Sequence, residues 1–129
     1  MRVLIADDQA QVRSALRLLL EQDSAVKVVG EATEAEDLLI QARATCPDLV
    51  LLDWELPSLH AAHPWLPILR ALCPSLSVIA LSGRPEARRA ALAAGVDAFV
   101  SKGDPPERLS AAVNDCRHRK HKLAKEDMV

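Results

Sequence analysis

Pro47-Asp-Leu-Val-Leu-Leu-Asp53 sets a proline, an acid, four consecutive aliphatic residues and then a second acid in a row. Four apolar residues are too few for a buried helix but suit a strand covered on both faces, since a strand in a parallel sheet has no polar side to alternate with. Working outward from 49–52, runs of the same kind recur at 3–6, 26–29, 78–81 and 98–100. The stretches between them have helical spacing. Val12, Ala15, Leu16, Leu19 and Leu20 mark one helix face, and Ala35, Leu38, Leu39 and Ala42 mark a second. Leu66, Leu69 and Leu72 mark a third, an alanine-rich run over 86–94 is closed by Gly95, and Leu109, Ala112, Val113 and Cys116 mark a fifth. Strands and helices in strict alternation predict an α/β fold: a five-stranded parallel sheet, doubly wound as (βα)5, with right-handed crossovers. A closed eight-stranded barrel would need about twice this chain. Residues 54–67 break the pattern with three prolines and two histidines. They are expected to form an irregular loop at a strand's carboxyl end, where such sheets bind ligands.

The 129 residues are the size of one domain, and such a domain buries roughly two-thirds of the surface its unfolded chain exposes. Half of the residues are apolar, yet only Trp54, Trp65 and Phe99 are aromatic, so the core must be aliphatic. The net charge of −2 divides unevenly: residues 1–116 carry 11 basic and 16 acidic side chains, and residues 117–129 carry 5 and 2. An acidic body has no electrostatic footprint for nucleic acid. The basic segment 117–129 reads as a solvated helix end or tail following a domain at 1–116. No apolar run is long enough to span a bilayer, and Met1-Arg-Val-Leu-Ile-Ala-Asp-Asp8 opens straight into a strand without a signal-peptide pattern. A cytoplasmic protein without membrane contact is expected.

The sequence also echoes itself. Arg43-Ala-Thr-Cys-Pro-Asp-Leu-Val-Leu-Leu-Asp53 is followed by Arg70-Ala-Leu-Cys-Pro-Ser-Leu-Ser-Val-Ile-Ala80. This is one device used twice, in which proline stops a helix and biases its predecessor toward extended backbone before a strand. Cys46, Cys73 and Cys116 are an odd number without CxxC spacing, which points to reduced, mostly structural thiols.

The polar residues that end the strands carry the chemistry. The first strand ends in Asp7 and Asp8, the third in Asp53, the fourth in Ser82, and the fifth in Ser101 and Lys102, all at one edge of the predicted sheet. Three carboxylates brought together repel, so the cluster implies a bound hard metal or a catalytic proton. Magnesium suits it, because that ion takes oxygen ligands and is held by one or two carboxylates with waters and a phosphate oxygen. One carboxylate can then act as nucleophile toward a phosphoryl group, while Lys102 and the Ser82 hydroxyl contact its other oxygens. Taken singly, each aspartate would serve equally well as a helix cap. Their co-occurrence favours the site.

These residues resemble the receiver domains of two-component response regulators. The resemblance rests on Val3-Leu-Ile-Ala-Asp7-Asp8, on 47–53 with Pro57 four residues on, on Ser82-Gly83, on Ala94-Gly-Val-Asp-Ala-Phe99 and on Val100-Ser-Lys102, in that order. It implies a flavodoxin-like strand order 2-1-3-4-5. It implies that Asp7, Asp8 and Asp53 bind Mg2+ with the backbone carbonyl of Glu55, and that Asp53 takes a phosphoryl group from a histidine kinase or phosphotransfer protein. It further implies that Ser82 and Lys102 hold that group, that Phe99 is the aromatic switch residue, and that the face of the fourth helix, fifth strand and fifth helix is a possible homodimer surface. Val28-Val-Gly-Glu-Ala32 and Ser101-Lys-Gly103 look like the subfamily whose receivers precede a helix-turn-helix DNA-binding domain. Thirteen residues after Cys116 are too few for such a domain, so a stand-alone receiver or a fragment of a longer protein is expected, with no nucleic-acid binding of its own. Two departures stand out: Ser58-Leu-His-Ala-Ala-His-Pro-Trp65 replaces the glycine commonly found after Pro57, and Gly103 replaces the proline after Lys102.

Other residues admit sharper and blander readings. His60-x-x-His63 and Cys116-x-His118-x-x-His121 have metal-like spacing without enough further ligands, and solvent-exposed side chains are the expectation. Trp54 reads as lying over its own domain, and residue type alone cannot tell whether Phe99 is a fixed core ring or a switch. Three functions follow: a phosphorylation switch, a phosphorylation-independent docking or dimerisation module, and an aspartyl-nucleophile phosphohydrolase. The last is disfavoured, since Glu55 is the sole carboxylate two residues past Asp53 and no cap domain is apparent. The expected chemistry is therefore not that of an enzyme with external substrates but of a domain that catalyses its own phosphorylation and dephosphorylation.

Overall fold

The computed structural model describes residues 1–60 and 64–127, the last seven of these by backbone alone. The strands are β1 (Arg2–Ala6), β2 (Lys27–Ala32), β3 (Leu49–Asp53), β4 (Ser77–Ser82) and β5 (Ala98–Ser101). The helices are α1 (Ala10–Leu20), α2 (Ala35–Thr45), α3 (Trp65–Leu72), α4 (Arg88–Ala94) and α5 (Pro106–Asp127). All strand pairs are parallel, in the order β2-β1-β3-β4-β5. The alternation predicts the doubly wound parallel sheet, and the receiver resemblance implies its flavodoxin-like order.

Side-chain alternation along each strand sends successive residues to two separate cores. Leu4, Val50, Leu52, Val78, Ala80 and Phe99 face the core covered by α2, α3 and α4. Val3, Ile5, Leu49, Leu51, Ile79 and Val100 face the core under α1 and α5. Every residue of β3 is buried, which is why the quoted run is uninterruptedly apolar until Asp53. Each fully buried Leu or Ile contributes about 1.5–3 kcal/mol relative to leaving it in water.

Three features differ from the sequence-based expectation. The loop after β3 is shorter than 54–67, because α3 already begins at Trp65 with Pro67 in its first turn. Proline is tolerated there, since a first-turn N–H has no partner within the helix. The run 86–94 is divided into a 3-10 turn at Pro85–Ala87 and α4 proper, and Gly95 ends it in the left-handed region at φ 104°. The apolar face of α1 is not sealed: Leu20 alone is buried, Val12, Leu16 and Leu19 are half-buried, and Ala15 is exposed. The fifth helix, α5, runs unbroken past residue 116 to Asp127, a course compatible with the helix end or tail read at 117–129.

At the amino-terminal edge of the sheet the strand starts are tied together by local bonds. Asp48 Oδ2 accepts the Arg2 N–H at 2.8 Å, and the Asp48 N–H donates to the Arg2 carbonyl at 2.9 Å. Asp97 Oδ2 accepts the Val78 N–H at 2.7 Å and Arg70 Nη2 at 3.3 Å. The carboxyl ends of β1, β3, β4 and β5 meet at the opposite edge.

Candidate functional site

Each site residue is delivered by the last bond of a strand ladder. The Asp7 N–H donates to the Ala32 carbonyl at 2.9 Å, that of Trp54 to Leu81 at 2.7 Å, and that of Lys102 to Ser82 at 2.8 Å. Asp7, Asp8 and Asp53 consequently converge, with one carboxylate oxygen from each lying within 4.8 Å of the others. Asp7 and Asp53 are 1% and 3% exposed, while Asp8 is open to solvent. Asp7 Oδ1 accepts the Gln9 N–H at 2.9 Å, and its carbonyl accepts Arg13 Nη1 at 2.9 Å, which fixes the turn into α1.

Lys102 Nζ lies 2.8 Å from Asp7 Oδ2 and 3.4 Å from Asp53 Oδ1. Burial alone would lower the Lys102 pKa, but the hydrogen bond from Asp7 and the charges of Asp53 and Asp7 raise it above the ordinary lysine value. The Asp53 carboxyl is raised, first by burial and further by the Asp7 charge, against the opposing pull of the Glu55 N–H and Lys102. Three carboxylates against one ammonium leave a formal charge of −2, the complement of one divalent cation. All the donors are hard oxygens, so the residues fit a small oxygen-seeking ion. Among the described residues this is the one group of three or more His, Cys, Asp or Glu able to share such an ion.

The site contains a side-chain contact that the sequence reading missed. The Ser82 hydroxyl donates to Glu55 Oε1 at 2.7 Å and accepts the Arg84 N–H at 3.0 Å. Arg84 Nη2 approaches Glu55 Oε2 at 3.8 Å. Glu55 was expected to contribute its backbone carbonyl, and its backbone N–H is also engaged, donating to Asp53 Oδ1 at 3.0 Å. The available signal was positional: Glu55 and Arg84 each stand two residues beyond the ends of neighbouring strands and carry opposite charges.

Ser82 and Phe99 lie on the same face of β4 and β5, with Ala80 opposite Phe99 and Ser82 opposite Ser101. The Phe99 ring is already inside, 8% exposed within the core that also holds Ala87 and Ala91. Trp54 lies over its own domain, 7% exposed, edge-on to Trp65 and to His60. His60 Nε2 donates to the Trp54 carbonyl at 2.7 Å, so this histidine staples the loop. His63 and the His121 side chain lie outside the described residues. Cys116 is fully buried and approached by Arg119 Nη2 at 3.2 Å.

Residues 3–114 match the family model of the response regulator receiver domain. Response regulator UvrY of Escherichia coli O6:H1 is 33% identical over 113 residues, covering 86% of this chain and 51% of UvrY. RcsB from Salmonella enterica serovar Typhimurium, solved bound to promoter rprA with the phosphomimetic BeF3-, superimposes at a TM-score of 0.78 and 28% identity, covering 91% of this chain and 98% of that one. A LuxR-family two-component response regulator from Aurantimonas sp. SI85-9A1 gives a TM-score of 0.77 at 26% identity, covering 88% of this chain and 82% of that one. The chain spans about half the length of the curated relatives it matches. With sequence, strand order and the acidic edge in agreement, the chain belongs to the response regulator receiver domain family.

Proposed function

We propose that this domain accepts a phosphoryl group on Asp53 from a histidine kinase or a phosphotransfer protein, and that the modification switches a protein-interaction face. The observation that carries this reading is the buried Asp53 carboxylate held against the Lys102 ammonium, with Asp7 and Asp8 alongside. Asp7, Asp8 and Asp53, with the backbone carbonyl of Glu55, would hold Mg2+, whose charge offsets the carboxylates and the incoming phosphoryl oxygens.

An ionised Asp53 oxygen attacks phosphorus in line with the P–N bond of the phosphohistidine donor. That bond breaks, and its electrons stay on the imidazole nitrogen. Lys102 shifts its ammonium from Asp7 toward one phosphoryl oxygen, and the Ser82 hydroxyl turns its hydrogen bond from Glu55 Oε1 to another. Attack by water on phosphorus reverses the modification, so catalysis is confined to the domain's own phosphorylation and dephosphorylation. Movement at Ser82 is read by Phe99 and by the face of α4, β5 and α5, which is also the proposed homodimer surface.

An open apolar groove of about 430 Å³ between α1 and α5, bordered by Lys102, offers the donor protein a surface beside the nucleophile. Among the described residues no helix is long and apolar enough to cross a membrane. A cytoplasmic domain contacting proteins, with no membrane or nucleic-acid binding of its own and an output in transcription regulation, completes the proposal.

Acetyl phosphate with magnesium should add one phosphoryl group, mapped to Asp53 by peptide mass spectrometry, and Asp53→Asn should abolish the adduct. An adduct on Ser82 or a histidine would overturn the nucleophile assignment. No adduct at all would leave a phosphorylation-independent docking or dimerisation module as the better account.

A further inference from the structure

The repeated Cys-Pro device has no part in phosphoryl acceptance, yet the fold brings its two cysteines together. Cys46 ends α2 in the left-handed backbone region at φ 42°, and Cys73 ends α3, which lies alongside α2. Each thiol reaches the end of the other helix. Cys73 Sγ is 3.5 Å from the Ala42 carbonyl, the same oxygen that accepts the Cys46 N–H at 2.8 Å. Cys46 Sγ is 3.9 Å from the carbonyl of Leu72, the neighbour of Cys73.

The two thiols differ in access. Cys46 is exposed and Cys73 is 2% exposed. Burial, and after it the adjacent Cys46 thiol, push Cys73 up to about 11. A diffusing oxidant therefore meets Cys46 first, with Cys73 waiting behind it. Cys116 belongs to the other core, across the sheet, and can reach neither.

We propose that Cys46 and Cys73 form a redox pair that closes to an intramolecular disulfide when a peroxide reaches Cys46. The Cys46 sulfur, as thiolate, attacks one peroxide oxygen; the O–O bond breaks, hydroxide leaves and is protonated to water, and Cys46 becomes a sulfenic acid. The Cys73 sulfur then attacks the Cys46 sulfur. The S–S bond forms, the S–O bond breaks, and the departing hydroxide takes up the Cys73 proton as a second water. Two thiols lose two electrons and one peroxide becomes two waters. The bridge joins the chain ahead of β3 to the chain ahead of β4, at the sheet edge opposite Asp53 and Ser82. It encloses the segment that carries Asp53 and Glu55 without touching either.

The proposal does not depend on the phosphorylation reading. Hydrogen peroxide added to the full chain, followed by alkylation and peptide mapping, should give a mass loss of about 2 Da and a linked pair of peptides bearing Cys46 and Cys73. Dithiothreitol should reverse the link, and Asp53→Asn should form it equally well. Cys46→Ser should abolish it, while Cys73→Ser should leave a Cys46 sulfenic acid that dimedone traps. The closed form should melt roughly 5–10 °C higher than the reduced form. Oxidation of Cys46 to sulfinic or sulfonic acid without cross-linking, a link between two chains, or a link to Cys116 would each overturn the proposal. If Cys73→Ser does not fold, the wild-type map and Cys46→Ser decide alone.

Discussion

The two edges of one sheet use the same side chain in opposite ways. At the amino-terminal edge Asp48 and Asp97 stand apart, and each accepts a backbone N–H from the start of a neighbouring strand. At the carboxyl-terminal edge Asp7, Asp8 and Asp53 crowd together, and Asp7 is answered by a lysine 95 residues away in the chain. Asp48 bonded to a backbone N–H beside it, and Asp97 to a backbone N–H and the Arg70 guanidinium, are fasteners complete in themselves. Three carboxylates with one ammonium, which reaches only Asp7 and Asp53, are incomplete, and their surplus negative charge is what a cation can use. Residue type alone does not separate structure from function here, whereas the count of charges answered locally does.

The largest test of this contrast is Lys102→Met. Removing the ammonium leaves Asp7 buried beside Asp53, and breaking a buried pair costs about 3–5 kcal/mol. Urea denaturation should show that loss in chelator and a partial recovery in magnesium. An equal loss in both would mean that the carboxyl edge takes no cation and that the two edges are alike.

Asp97→Ala should cost less, about 1–3 kcal/mol, by leaving the Val78 N–H without its partner and Arg70 without its carboxylate. Here magnesium should change nothing, and Asp53 should still be modified by acetyl phosphate. A magnesium-dependent effect would break the distinction.

The smallest effect is expected from Asp53→Asn in chelator, and it is a gain on the order of 1 kcal/mol. Because the folded pKa of Asp53 is raised, ionising it opposes folding. Its stability contribution is fully present below the unfolded carboxyl value and is lost as pH rises through the raised folded value. The advantage of the asparagine variant should therefore be absent in acid and grow through that window. A variant that melts lower than wild type at neutral pH would show that Lys102 outweighs burial and the Asp7 charge.

The fold was legible because its strands announce themselves: a residue covered on both faces is apolar whatever its neighbours, so 49–52 could be read without knowing the partners. The pocket was legible for a similar reason, since polar residues ending aliphatic runs in a parallel sheet must share an edge. What escaped depends on pairs. Glu55 meets Ser82 only because β3 lies beside β4 and both loops fold back by two residues. Helical spacing marked the apolar face of α1 but not whether anything covers it, and much of it is left as the wall of a groove. The shift to basic composition at 117 left a helix end and a tail both open, and α5 continues through it, because backbone bonds extend a helix regardless of the sign of its side chains. His60 had the spacing of a metal ligand and instead holds the Trp54 carbonyl, a partner six residues back in an irregular loop.

The Ser82 hydroxyl can donate one hydrogen bond, and Glu55 Oε1 already accepts it. Any other acceptor at this edge can bond to Ser82 only by displacing Glu55, so the hydroxyl is engaged before a ligand arrives. A residue at position 55 unable to accept a hydrogen bond would leave the Ser82 hydroxyl free without altering Asp53. The contact between them is set by the register of two adjacent strands, whose ends bring positions 55 and 82 within reach.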